Sequence, residues 1–223
     1  MIEAIILAAG QGTRMKSNKA KVLHHLGGKT MLQHVVDAIQ PLSTSINIVI
    51  GNEAKVIKNS INKDSINWIV QKKQLGTGHA VQQAVSIIND EATCVILYGD
   101  VPLITTNTIK SLVDKSKKNG FSLLSVSLND PNGYGRIIRN KNELIKAIVE
   151  DKDADVNERK INEINTGIMA IQGLLLKKYI TQLEPNNSQG ELYLTDIVKI
   201  AVEDNVTISS LVCDNVSEVM GIN

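Results

Sequence analysis

The 223-residue sequence predicts an α/β fold with a mixed, mostly parallel, doubly wound sheet. Three observations carry that expectation. The first half alternates apolar runs with amphipathic stretches, the βαβα signature of a parallel sheet covered on both faces. Glycine-bearing turns follow two of the apolar runs, at Gly10 to Gly12 and at Gly99-Asp100. They therefore fall beyond the carboxyl ends of strands, where open sheets of this kind bind ligands. Finally, a chain of this length that is 43% hydrophobic can bury a sizeable core, and we expect one domain over residues 1–223.

Taken in order, residues 2–7 read as a buried strand, 31–39 as a helix, 46–50 as a strand, 54–61 as a helix and 66–70 as a strand. A helix over 79–88, a strand over 93–98 and a helix over 108–117 complete the alternating half. The second half is less regular: strands over 122–128, 136–139 and 144–149, a polar stretch at 151–160, a strand over 164–171, then helices near 174–183 and 195–203. That pattern suggests antiparallel additions forming a wall over the first half. No internal repeat, low-complexity linker or domain boundary interrupts it.

Composition excludes several classes of function. A formal net charge of +1 argues against broad attraction to nucleic acid or anionic membrane, so cations matter by their local placement. Aromatic content of 3% leaves few platforms for stacking bases. Cys94 and Cys213 belong to no CxxC and read as reduced structural thiols, which fits the cytoplasm. The opening residues carry no basic leader, and no apolar run approaches the length of a membrane span. His24, His25, His34 and His79 are not spaced as a zinc cluster, and no G-x-S-x-G elbow occurs.

The segment Leu7-Ala8-Ala9-Gly10-Gln11-Gly12-Thr13-Arg14-Met15, with Lys21 six residues on, is the most informative. Small residues let the backbone approach a flat or anionic ligand, its N–H groups can cradle phosphate oxygens, and Arg14 and Lys21 can neutralise them. Walker A is excluded because Thr13 follows Gly12 where a lysine is needed. The dinucleotide fingerprint is excluded because Met15 stands where its third glycine belongs. On the loop alone, phosphate binding and an ordinary glycine turn both remain open.

Later motifs carry similar pairs of readings. In Gln71-Lys72-Lys73-Gln74-Leu75-Gly76-Thr77-Gly78-His79-Ala80, Gln71 can read a base edge and Thr77 can donate to a carbonyl or phosphate; a plain strand-to-helix turn with Thr77 near the cap explains the same residues. Asp100, in Tyr98-Gly99-Asp100-Val101-Pro102-Leu103, suits Mg²⁺, which takes hard oxygen ligands from a carboxylate and substrate phosphates, and equally suits a helix cap. Gly133-Tyr134-Gly135-Arg136 presents N–H groups or turns a hairpin. Glu150 at a strand end and Asn165-Thr166-Gly167 within a strand are polar groups that need partners, and a sugar's hydroxyls can supply them.

In this order and spacing the motifs resemble those of sugar-1-phosphate nucleotidyltransferases. More narrowly, they resemble the uridylyltransferase domain of the bacterial bifunctional N-acetylglucosamine-1-phosphate uridyltransferase/glucosamine-1-phosphate acetyltransferases, essentially end to end. The resemblance implies a Rossmann-like sheet of the nucleotide-diphospho-sugar transferase type. It also implies conversion of UTP and N-acetylglucosamine 1-phosphate to UDP-N-acetylglucosamine and pyrophosphate, for cell-envelope precursors. Residue by residue, it places Leu7, Ala8, Gly10, Gln71, Gly76 and Thr77 on uridine, and Arg14 and Lys21 on the triphosphate as the catalytic cations. Gly135, Glu150, Asn165 and Thr166 fall on N-acetylglucosamine, Tyr193 and Thr195 near its phosphate, and Asp100 and Asn223 on Mg²⁺. One departure is Ala20, where the family commonly has proline before the lysine, so the loop is expected to be less rigid. The hexapeptide repeats of the family's acetyltransferase β-helix, which forms trimers, do not occur here, so the expectation is a monomer or weak dimer without acetyl transfer. A thymidylyl- or guanylyltransferase, and a nucleotide-binding regulatory module without turnover, are the competing readings.

Overall fold

A computed structural model describes residues 1–10, 12, 15, 17, 19–51, 54–61 and 66–222. Four strands build the parallel half: β1 (Ile2–Ala8), β4 (Ser45–Ile50), β5 (Ile66–Val70) and β6 (Thr93–Tyr98). β1 is central, paired in parallel with β4 on one side and β6 on the other, while β5 lies outside β4. A two-stranded ribbon, β2 (His25–Leu26) and β3 (Lys29–Thr30), intervenes between β1 and α1 (Met31–Ile39). α2 (Ala54–Ser60), α3 (Thr77–Ala84) and α4 (Thr106–Ser116) follow β4, β5 and β6.

Both faces of the sheet are covered, which explains why β1 is apolar without interruption. Ala4, Ile6 and Ala8 join one cluster with Leu32, Val35 and Val36 of α1 and Ile109, Leu112 and Val113 of α4. Ile5 and Leu7 point the other way, into a cluster with Ala80, Val81 and Ala84 of α3. A period of two in a doubly covered strand puts every residue in a core. α1 starts where Thr30 accepts a hydrogen bond from the Gln33 amide at 3.1 Å, and α4 where Thr105 accepts one from Thr108 at 3.2 Å.

The second half extends the same sheet. β7 (Phe121–Ser127) and β10 (Glu163–Gln172) are antiparallel neighbours, and β10 is also antiparallel to β6; β11 (Ser209–Val212) adds to β7 in parallel. Among the described residues the main sheet has nine strands, with the path β11-β7-β10-β6-β1-β4-β5. The expected wall is therefore mostly sheet edge, and the part that branches off is the hairpin of β8 (Arg136–Arg139) and β9 (Ile145–Val149), joined to β10 at Ile164 opposite Arg136. α5 (Gly173–Ile180) and α6 (Asp196–Glu203) complete the second cluster through Leu176, Tyr179, Ile197 and Val198. α7 (Val216–Val219) and β11 are absent from the sequence reading, because both are short and only partly apolar.

Candidate active site

The carboxyl ends of β1, β5 and β6 open on a cavity of about 540 Å³. Leu7, Ala8, Gly10, Gln71, Gly76 and Thr77, all assigned to the nucleotide by the sequence, line it together with Lys21 and Asp100. A second cavity of about 150 Å³ is lined by Thr166, Tyr134, Val219 and Gly221. Lys21, Tyr98 and Asp100 line both. These residues thus stand between two adjoining spaces of different size.

Local backbone geometry explains how the loops meet. The Gly99 amide donates to the Leu7 carbonyl at 2.9 Å and the Gln71 amide to the Ile50 carbonyl at 2.8 Å, so the strand ends are stitched together. Gly76 caps α3 with φ of +105°, and a β-carbon there would lie 2.5 Å from the Leu192 carbonyl oxygen. Glycine is required on both counts. Gly78 donates to the same carbonyl at 2.8 Å, and Leu192 donates back to Leu75 at 2.8 Å, clasping this loop to the segment before α6. Gly10 differs: among the described residues no atom lies within 4 Å of where its β-carbon would stand.

Lys21 Nζ lies 2.5 Å from an Asp100 carboxylate oxygen, with the side chains 12% and 23% exposed. Asp100 does not cap α4, because Thr105 fills that role. Its backbone carbonyl accepts a 2.9 Å hydrogen bond from the Ile222 amide, which brings the end of the described chain to the site. Tyr98 beside it is held protonated well above the ordinary range, first by burial and then by the charges of Glu150 and Asp100.

The residues assigned to the sugar form a neighbouring group. Asn165 donates its backbone N–H to the Gly135 carbonyl at 2.8 Å, and Thr195 Oγ1 donates to Glu150 at 2.9 Å. Burial raises the pKa of Glu150, with the charges of Asp196, Asp153 and Asp151 adding to it and the Thr195 bond opposing. The Asn165 side-chain oxygen is buried without a hydrogen-bond partner among the described residues. A bulge in β10 between Asn165 and Met169 turns Thr166 toward the smaller cavity; at Gly167 a β-carbon would lie 2.5 Å from the Tyr98 ring. Tyr193 is 9% exposed, its hydroxyl bonded to Gln189, and lines neither of these cavities.

Arg14 and Asn223, proposed for the triphosphate and the metal, lie outside the described residues. Among the described residues no group of three or more His, Cys, Asp or Glu side chains gathers as a metal centre. A carboxylate completed by phosphate oxygens does not need such a cluster, and Asp100 supplies the hard oxygen donor Mg²⁺ prefers. Gln74, Met15 and Glu191 also line the larger cavity without having been assigned a role. Gln74 donates to the Ala9 carbonyl at 2.6 Å and stands inside a motif already singled out, so it was within reach of sequence reasoning. Glu191 is delivered by a distant segment and has no local signal.

Comparisons with known proteins bear on the family and the fold. A family model described as the MobA-like NTP transferase domain matches residues 4–160. Proteins named Bifunctional protein GlmU from Vesicomyosocius okutanii subsp. Calyptogena okutanii and from Ruthia magnifica subsp. Calyptogena magnifica are 53% and 49% identical over 222 residues. One of the same name from Marinobacter nauticus is 45% identical over 223. In each case the match covers 100% of this chain and 49% of the relative, so the chain spans about half the length of the curated relatives it matches. A Bacillus anthracis structure that carries the name glucose-1-phosphate thymidylyltransferase, solved with sucrose, superposes with a TM-score of 0.77 at 23% identity. That likeness, over 96% of this chain and 87% of the other, is one of fold.

Proposed function

The chain belongs to the family of MobA-like NTP transferase domains, and from that premise we propose that it is a uridylyltransferase making UDP-N-acetylglucosamine and pyrophosphate from UTP and N-acetylglucosamine 1-phosphate. The observation that carries this reading is the pair of adjoining cavities with Lys21, Tyr98 and Asp100 in the lining of both. A transfer between two anions needs such an arrangement, with one phosphate chain on each side of a fixed cation. Relatives named as a bifunctional protein, matched over about half their length, support assigning one of two activities to this half.

UTP fits the larger space, its base against Gln71, Gly76 and Thr77 and its phosphates over Gly10, where no described residue comes within 4 Å of a β-carbon position. The sugar phosphate fits beside Thr166, with Glu150, Asn165 and the Gly135 backbone as partners for its hydroxyls. The orphaned Asn165 oxygen supports that placement, since a buried acceptor without a partner is costly. Tyr193 and Thr195 keep a supporting role near the sugar's phosphate.

The nucleophile is a phosphate oxygen of the sugar phosphate. With a second pKa of about 6, a phosphate monoester is largely dianionic at neutral pH, so no protein base is required. The oxygen attacks the α-phosphorus of UTP in line, and the bond to pyrophosphate breaks. Lys21, and Arg14 from the adjoining loop, lower the repulsion between the two anions and take up charge on the leaving group. Mg²⁺ held by Asp100, with Asn223 as second ligand, would supply further neutralisation of the phosphates. Two free thiols, Cys94 and Cys213, support a cytoplasmic setting, and no described helix is long and apolar enough to cross a membrane.

A panel of UTP, dTTP and GTP crossed with several sugar 1-phosphates, read by pyrophosphate release and identification of the nucleotide sugar, tests the reading. UTP with N-acetylglucosamine 1-phosphate should give the highest kcat/KM. A different winning pair replaces the substrate assignment. Nucleotide binding without any pyrophosphate release would make the chain a binding module.

A further inference from the structure

Gln74 lines the larger cavity and donates its side-chain N–H to the Ala9 carbonyl at 2.6 Å. A backbone carbonyl only accepts, so the NH₂ end of the amide is the end that faces Ala9. The strand pairing of β1 stops one residue earlier, at Ala8 opposite Ile50. Beyond it, among the described residues, the Ala9 carbonyl accepts from Gln74 alone and the exposed Gly10 N–H donates to nothing. No strand ladder holds this peptide unit. A peptide that precedes glycine can turn over, because glycine accepts either sign of φ. A second glycine keeps the path of the Gln74 bond clear: at Gly51, directly after β4, a β-carbon would lie 2.7 Å from the Gln74 amide nitrogen and 2.9 Å from the Ala9 oxygen.

We propose that Gln74 is a positioning residue that locks the Ala9–Gly10 peptide with its N–H toward the phosphates. In a planar trans peptide the N–H points opposite to the C=O. The Ala9 carbonyl is turned toward Gly51 and Gln74, on the β4–β5 side of β1, so the Gly10 N–H points to the β6 side, where Lys21 and Asp100 line both cavities. There it donates to a phosphate oxygen. The inference rests on the reading above that a nucleotide's phosphates lie over Gly10. Turned over, the same peptide would set its carbonyl oxygen against them and exchange an attraction for a repulsion. In Gln74→Met the side chain keeps its length and loses the donor. In Gly51→Ala the methyl displaces the far end of the Gln74 side chain, which gives way more easily than backbone.

Dissociation constants for UTP and for uridine, measured on the intact chain, on Gln74→Met, on Gly51→Ala and on the double variant, test this. Gln74→Met should weaken UTP about tenfold, the scale of one hydrogen bond to a charged group, and change uridine by less than about twofold. Gly51→Ala should do the same, and the double variant should bind no worse than either single one, since both changes break one bond. In the unmodified protein, weakly aligned, the N–H residual dipolar coupling of Gly10 should fit one fixed orientation opposite to the Ala9 carbonyl, whatever the variants do to folding. Unchanged UTP affinity in Gln74→Met, uridine weakened as much as UTP, additive losses in the double variant, or an averaged coupling at Gly10 would each overturn the proposal. An unmodified chain that binds uridine as tightly as UTP has no grip on phosphates and sinks the functional reading itself, whereas a chain that gains from the phosphates with an indifferent Gln74→Met variant sinks this inference alone.

Discussion

Lys21 and Glu150 show how burial and pairing shape single residues here. Lys21 is held by Asp100 at 2.5 Å, so the protein itself positions its charge. A cation poised for charge that develops during transfer acts mainly in the transition state. Lys21→Ala should therefore lower kcat by about a hundredfold or more while weakening UTP binding by less than about tenfold. Near-parental kcat in that variant would remove Lys21 from the mechanism. For Glu150, burial raises the carboxyl pKa, so the folded protein holds this proton to higher pH than the unfolded chain does. Stability is then lost as pH climbs from the ordinary glutamate range through the raised value, because the buried group must ionise. Glu150→Gln keeps an oxygen for the Thr195 hydroxyl and has nothing to ionise. Urea midpoints should show this variant more stable than the parent at neutral pH and level with it near pH 4, while its KM for the sugar phosphate rises and UTP affinity stays put. A parental pH profile of stability in Glu150→Gln would mean that Glu150 ionises freely.

Among the elements, the β8–β9 hairpin depends on a buried charge. Arg136 is fully buried where β8 meets β9 and β10, with Val149 and Ile164 as its strand partners. Its guanidinium reaches the Tyr134 carbonyl and stands 3.0 Å from an Asp151 carboxylate oxygen. These contacts anchor the residues flanking Gly135 and Glu150. Removing one partner of such a pair strands the other charge in the interior, which costs about 3 kcal/mol. Asp151→Ala should lower the unfolding free energy by roughly that amount, less whatever water relieves at the 30% exposed carboxylate. If the urea midpoint of Asp151→Ala matches the parent, the pair does not hold the hairpin. The same element exposes a limit of periodicity, since a charged residue inside Arg136–Arg139 carries no sign in one sequence of whether its side chain faces water or core.

At the scale of the whole molecule, one continuous sheet joins the alternating half to the irregular half through β6 and β10. The core cluster that holds α1 and α4 also contains Leu124, Val126 and Ile164 from the second half, and the opposite cluster joins α3 to α5 and α6. The C-terminal segment is tied back as well: Glu218, 8% exposed, accepts from the amide and hydroxyl of Thr105 at 3.0 and 2.8 Å. Contacts of this reach should couple the chain into one cooperative unit, so calorimetry should record one unfolding transition over residues 1–223. Two resolved transitions would divide the chain and refute a single domain.

The sequence alone determined the parallel half and the identity of its loops. Doubly buried strands declare themselves as unbroken apolar runs, and glycines that follow a strand end are legible because backbone sterics are local. Gly76 illustrates this with its φ of +105°, whereas the neighbours a β-carbon would strike at Gly76 and Gly167, Leu192 and Tyr98, are remote in the chain. Local chemistry could not decide between a phosphate grip and a plain turn, or between a metal ligand and a helix cap. Tertiary structure closed the second alternative's cap by giving α4 to Thr105, and it set Asp100 against Lys21 across 79 positions of chain. It also revealed the role of Leu192 and brought Glu191 to the cavity, because those contacts depend on where a distant segment comes to rest. Short-range sterics and hydrophobic period can be read along a chain, whereas pairings between remote polar groups exist only once the core has placed them.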